Sequence, residues 1–88
     1  MTDLLTNSIT IRGETFIVRE LDGKTMAESR RVLAADKARL EAFVAWQCTV
    51  DPKFASEADV LARPQIFADK LSAEAFRLTN SDDSAKND

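Results

Sequence analysis

The sequence predicts an α+β fold: an N-terminal β-hairpin packed on three to four α-helices, followed by a disordered C-terminal tail. Three observations carry this. Residues 8–20 are dominated by β-branched and aromatic side chains around a central Gly13. From Met26 to Leu78 apolar residues recur at helical spacing. Residues 81–88 are polar but for Ala85 and offer nothing to bury. A chain of 88 residues makes one domain, assigned to residues 1–79, with an acidic tail at 80–88. Such a chain buries roughly 60–65% of the surface its unfolded form exposes. The core is therefore thin, and contact with another chain adds stability.

The strands read Ser8-Ile9-Thr10-Ile11-Arg12 and Thr15-Phe16-Ile17-Val18-Arg19. A turn at Gly13-Glu14, with glycine in the first central position, suits type II′. It pairs Ile11 with Phe16 and Ile9 with Val18. Those four side chains then share one face, and Thr10, Arg12, Thr15 and Arg19 share the other. A slip of one residue scatters the set, so the alternation constrains the register. Ile17 is an apolar side chain on the polar face. An isolated hairpin is marginal in water, so its apolar face must pack on helices. Its outer edges stay unpaired in a monomer. Either Arg12, Arg19 and strand twist keep such an edge harmless, or an edge together with Ile17 forms part of a self-association surface.

Asp22 is a good helix N-cap, and Thr25-x-x-Glu28 offers an alternative capping box. Met26, Ser29, Val32 and Leu33 give a weak apolar stripe. The pattern strengthens after Asp36, where Leu40, Phe43, Val44 and Gln47 follow helical spacing. The stripe changes phase near Asp36 without a Gly or Pro break, so residues 25–49 form one helix or two. Asp51-Pro52 stops the run. Ser56 is an N-cap for a short helix through Val60 and Leu61, and Pro64 suits the first position of the next. That last helix carries Phe67, Leu71, Ala75 and Leu78, and Asn80 ends it.

The residue inventory argues against catalysis. Histidine is absent, which removes the usual general base near neutral pH and the commonest metal ligand. One cysteine, Cys48, cannot form an internal disulfide or build a thiolate zinc site. Its position on an apolar helix reads as a buried, inert thiol, and a single cysteine suits a reducing cytoplasm. Two glycines make no phosphate loop. No enzyme activity, cofactor or metal is expected. A formal net charge of −3 disfavours nucleic acid as a partner. No signal peptide or membrane-spanning run is read from the chain. Candidate partner-binding residues are Trp46, Phe54, Phe67 and Ile17. Trp46 lies off the stripe of its helix. It makes either a second core contact, to the last helix, or a contact with a partner, since tryptophan is enriched at interface hot spots.

The linear order of motifs resembles the tail assembly chaperones of long-tailed, siphovirus-type bacteriophages over residues 9–78. A strand pair ends in Val18-Arg19-Glu20-Leu21, and a charged helix carries Arg30, Arg31 and Leu33. An alanine-rich helix runs into Cys48-Thr49-Val50-Asp51-Pro52. An acidic helix start, Ser56-Glu57-Ala58-Asp59-Val60, precedes the closing helix from Ala68 to Leu78. The resemblance implies a protein of the host cell cytoplasm that binds the tape measure protein and keeps it soluble during tail tube assembly. It implies self-association into a homo-oligomer. It also implies a longer, frameshifted form that engages the tail tube protein. Nucleic acid and membrane are not implied partners. The competing expectation is a small phage-encoded inhibitor or adaptor of the anti-CRISPR type, binding a host protein one-to-one.

Overall fold

A computed structural model of the chain describes residues 4–81. The expected disordered tail falls largely on residues 82–88, outside the described residues. The fold is α+β. Strands β1 (Thr6–Ile11) and β2 (Glu14–Arg19) lead into helix α1 (Gly23–Ala35). A 3-10 turn at Lys37–Arg39 opens helix α2 (Leu40–Cys48), which runs directly into strand β3 (Thr49–Asp51). Helices α3 (Glu57–Leu61) and α4 (Gln65–Thr79) follow.

The hairpin turns one residue earlier than expected. Arg12 and Gly13 occupy the two central positions, both with positive φ, 51° and 84°. This is the type I′ signature, whose twist matches that of the flanking strands. Ile9 therefore faces Phe16, Ile11 faces Glu14 and Asn7 faces Val18. The expected pairs, Ile11 with Phe16 and Ile9 with Val18, are displaced by two residues. An even displacement keeps every side chain on its face, which is why the alternation did not distinguish the two registers. Ile11, Phe16 and Val18 still point into the core, and each is almost wholly buried.

A third strand corrects the expectation of a two-stranded element with open edges on both sides. β3 pairs antiparallel with β2, Ile17 opposite Asp51 and Val18 opposite Thr49, across a bulge between Ile17 and Val18. The sheet order is β1-β2-β3. The helix run of 25–49 resolves into two. Asp36 adopts an extended backbone, φ −158° and ψ 95°, and its carboxylate accepts from the Ala38 N–H at 3.1 Å. An aspartate at a break satisfies a backbone donor that the new turn leaves open.

Asp22 caps α1, accepting from the Thr25 N–H at 2.8 Å. Ser56 caps α3 by accepting from the Asp59 N–H. Pro64 sits at the N-cap of α4 rather than inside its first turn, and Asn80 is the C-cap.

The core forms between the sheet and the α2–α4 pair. α2 buries Ala42, Phe43, Val44, Ala45 and Cys48, and α4 buries Phe67, Ala68, Leu71, Ser72, Ala75 and Leu78. Alanines on both helices let the backbones approach closely. α1 is different: its fully buried residues are Thr25 and Ser29, while Met26 and Val32 are only partly covered and Leu33 is exposed. It is held at its start instead. The Arg19 guanidinium donates to the Glu20 carbonyl at 2.9 Å, the Gln47 carbonyl at 3.0 Å and the Thr25 hydroxyl at 3.4 Å. Arg19 thus ties β2 to the starts of α1 and the end of α2, where a cation also complements the helix dipole. It does not guard a strand edge. No helix among the described residues is long and apolar enough to cross a membrane.

Candidate functional site

The four candidate residues do not converge. Phe54 and Phe67 are core residues, 9% and 6% exposed. Phe54 stacks on Phe16 with centroids 6.0 Å apart, and Phe67 meets Phe16 edge-on at 5.9 Å. Neither presents a surface to a partner in this fold. Both earn their place by closing the core beneath the hairpin, Phe54 from the connector after β3 and Phe67 from the first turn of α4. Ile17 does lie on the open face of the sheet, 38% exposed, beside the third strand.

Trp46 lies at a groove. It is half-buried and packs edge-on against Phe43, centroids 6.0 Å apart. It packs against the core, as one of the two expected readings had it, and its remaining surface faces a groove shared with α1. Glu28, Arg31 and Val32 from α1 line a shallow groove of about 360 Å³ together with Phe43, Trp46 and Gln47 from α2. Helical spacing explains the arrangement: Phe43, Trp46 and Gln47 stand at i, i+3 and i+4, on one face of α2. Glu28, Arg31 and Val32 repeat that spacing on α1. Phe43, Trp46 and Val32 give the groove apolar surface, and Glu28, Arg31 and Gln47 give it charged and amide groups. The groove can take one or two apolar side chains from another chain, with polar groups left at its margin. The weak burial of α1 leaves the wall on that side with few apolar contacts to break if the groove widens.

Cys48, at the end of α2, is fully buried, and burial pushes its thiol up to about 11. The nearby Arg19 charge opposes that shift without reversing it. Such a thiol is almost wholly protonated near neutral pH and is a poor nucleophile. Among the described residues no group of three or more cysteine or carboxylate side chains is placed to hold a metal ion.

Sequence reasoning missed Arg63. Its guanidinium lies over three rings, 5.6 Å from the Phe16 centroid, 5.3 Å from Phe54 and 4.9 Å from Phe67, and it binds Glu14 through two hydrogen bonds. An arginine in a helix connector carries no periodic signal. The only hint was its place two residues after Leu61, beside a proline. The sequence matches no known family model, and neither a curated protein nor a solved structure is similar to it.

Proposed function

We propose that this chain is a tail assembly chaperone of a long-tailed bacteriophage, acting in the host cytoplasm. It binds the tape measure protein and keeps that long, apolar, helical chain soluble while tail tube subunits assemble. The observation that carries the reading is the Trp46 groove between α1 and α2. Its mixed aromatic and polar lining suits an amphipathic helix, whose apolar side chains recur at three- and four-residue spacing. A tape measure exposes many such stretches, which aggregate unless covered. A single groove of this size holds weakly. Several copies of the chain bound along one tape measure hold strongly, because linked weak contacts multiply. The resemblance in motif order supports the same role. So does the absence of histidine, since a holding protein needs no general base.

The test is co-expression of the chain with a tape measure fragment. The fragment is expected in the soluble fraction with the wild type and in the pellet with Trp46→Ala, while the variant keeps its helix content by circular dichroism. A fragment equally insoluble with and without the wild-type chain rejects the proposal.

A further inference from the structure

The two edges of the sheet differ in how they are protected. β3 is blunted. It has three residues, ends on Asp51, is followed by Pro52 and Lys53, and meets β2 through a bulge. Shortness, charge, proline and bulges are the devices by which natural edges avoid pairing. β1 has none of them. It spans six residues, Thr6-Asn7-Ser8-Ile9-Thr10-Ile11, without a charge or a proline, and pairs with β2 in unbroken register.

The backbone groups on that open edge can be assigned. A two-residue turn makes Ile11 and Glu14 a hydrogen-bonded pair, and the alternation of an antiparallel ladder does the same for Ile9–Phe16 and Asn7–Val18. The Glu20 N–H donates to the Leu5 carbonyl at 2.9 Å, which continues the same series. Thr6, Ser8 and Thr10 therefore aim their N–H and C=O groups away from β2. All three residues are exposed, and no hydrogen bond among the described residues reaches those backbone groups.

We infer that β1 is a docking strand for β1 of a second copy, antiparallel about a two-fold axis at Ser8. This rests on the proposal that copies associate and names the surface by which they do so. Ser8 then faces Ser8 of the second copy, and Thr6 faces Thr10 in both directions. Every outward N–H and C=O of the three residues finds a partner. A shift of two residues either way loses one of these pairs and brings in Leu4 or the turn residue Arg12. The strand is thus complementary to itself. The strand itself carries no charge to repel its own copy, and threonines paired across strands are favourable. Next to the strand, Ile9, Thr10, Lys70, Ala73, Glu74 and Arg77 line a second groove of about 300 Å³, which adds side-chain surface to the same flank. A foreign strand gains nothing from this symmetry.

The experiment measures the mass of the full chain by sedimentation equilibrium over a wide concentration range. Wild type is expected to pass from monomer to dimer. Ser8→Pro removes an outward donor without touching the β1–β2 ladder, and Ser8→Lys sets two like charges against each other at the axis. Each is expected to weaken association about tenfold or more, with the folded state confirmed by circular dichroism. Ser8→Lys keeps the test valid if the proline variant fails to fold. Val50→Lys, on the other edge, is expected to leave association unchanged. A wild type that stays monomeric, or association unaltered in both Ser8 variants, overturns the inference. The functional reading fails separately: it is lost if β1-dependent dimers form yet give the tape measure fragment no solubility.

Discussion

Glu14 and Arg63 stand 49 residues apart and meet in two hydrogen bonds of 2.6 and 3.1 Å. The contact joins the start of β2 to the connector between α3 and α4, and it positions the guanidinium over the Phe16, Phe54 and Phe67 rings. The ion pair holds Glu14 below the usual carboxylate range through the hydrogen bond from Arg63. Exposed ion pairs contribute little, so the ring contacts and the packing of the arginine stem carry most of the value. Arg63→Ala should destabilise the fold by about 1–2 kcal/mol, and Glu14→Gln by clearly less. Urea unfolding of both variants checks the order. Equal losses would show that the ion pair, not the stacking, dominates.

Arg12 holds a left-handed backbone, φ 51°, at the first central position of the type I′ turn. Asparagine tolerates that conformation better than arginine, and Asn-Gly is the preferred pair for this turn. Arg12→Asn should raise stability by about 0.5–1 kcal/mol. Thermal unfolding gives the answer, and a lower midpoint would contradict the turn assignment.

Thr49 is almost wholly buried, and its hydroxyl oxygen has no hydrogen-bond partner among the described residues. An unsatisfied hydroxyl in the core carries a desolvation penalty. Thr49→Val keeps the shape and the strand preference while removing that penalty, so it should stabilise by about 1 kcal/mol. A destabilised variant would mean that the hydroxyl finds a bond in solution.

The Gln65 side-chain amide donates to Glu41 at 2.9 Å and to Asp69 at 2.9 Å, drawing the two carboxyls together across α2 and α4. Hydrogen bonding to Asp69, then burial, raises the Glu41 carboxyl above its ordinary 4.5, while Asp69 is lowered. The folded chain thus keeps a proton on Glu41 that the unfolded chain releases. The stability this gives is present below 4.5 and fades as pH rises through the window just above it. Glu41→Gln should therefore be the more stable protein near neutral pH, and the difference should shrink as pH is lowered toward 4.5. Melting curves across that range test it, and a difference independent of pH would refute the coupling.

Much of the fold was legible in the sequence because the signals were local. Asp22, Ser56 and Asn80 mark helix ends by chemistry that acts within one turn. The faces of the hairpin followed from alternation. The register did not, because registers two residues apart share the same faces, and the choice rested on whether Arg12 would accept a positive φ. β3 was hidden for another reason. Thr49 and Val50 are β-branched, yet they continue an apolar helix without a break, and only β2 alongside makes them a strand. The site was less legible still. The aromatic count pointed to Phe54 and Phe67, which the core claims. The groove beside Trp46 depends on how α1 lies against α2, and the phase change at Asp36 left one helix or two equally open.

Trp46 is the chain's one tryptophan, and tyrosine is absent. Near-ultraviolet excitation of the purified protein therefore reports on a single indole, half-wet and seated in the wall of the α1–α2 groove. Any molecule that fills the groove strips water from that ring and moves its emission toward the blue, with no label attached. The protein carries its own optical gauge of occupancy at the place where a guest is expected.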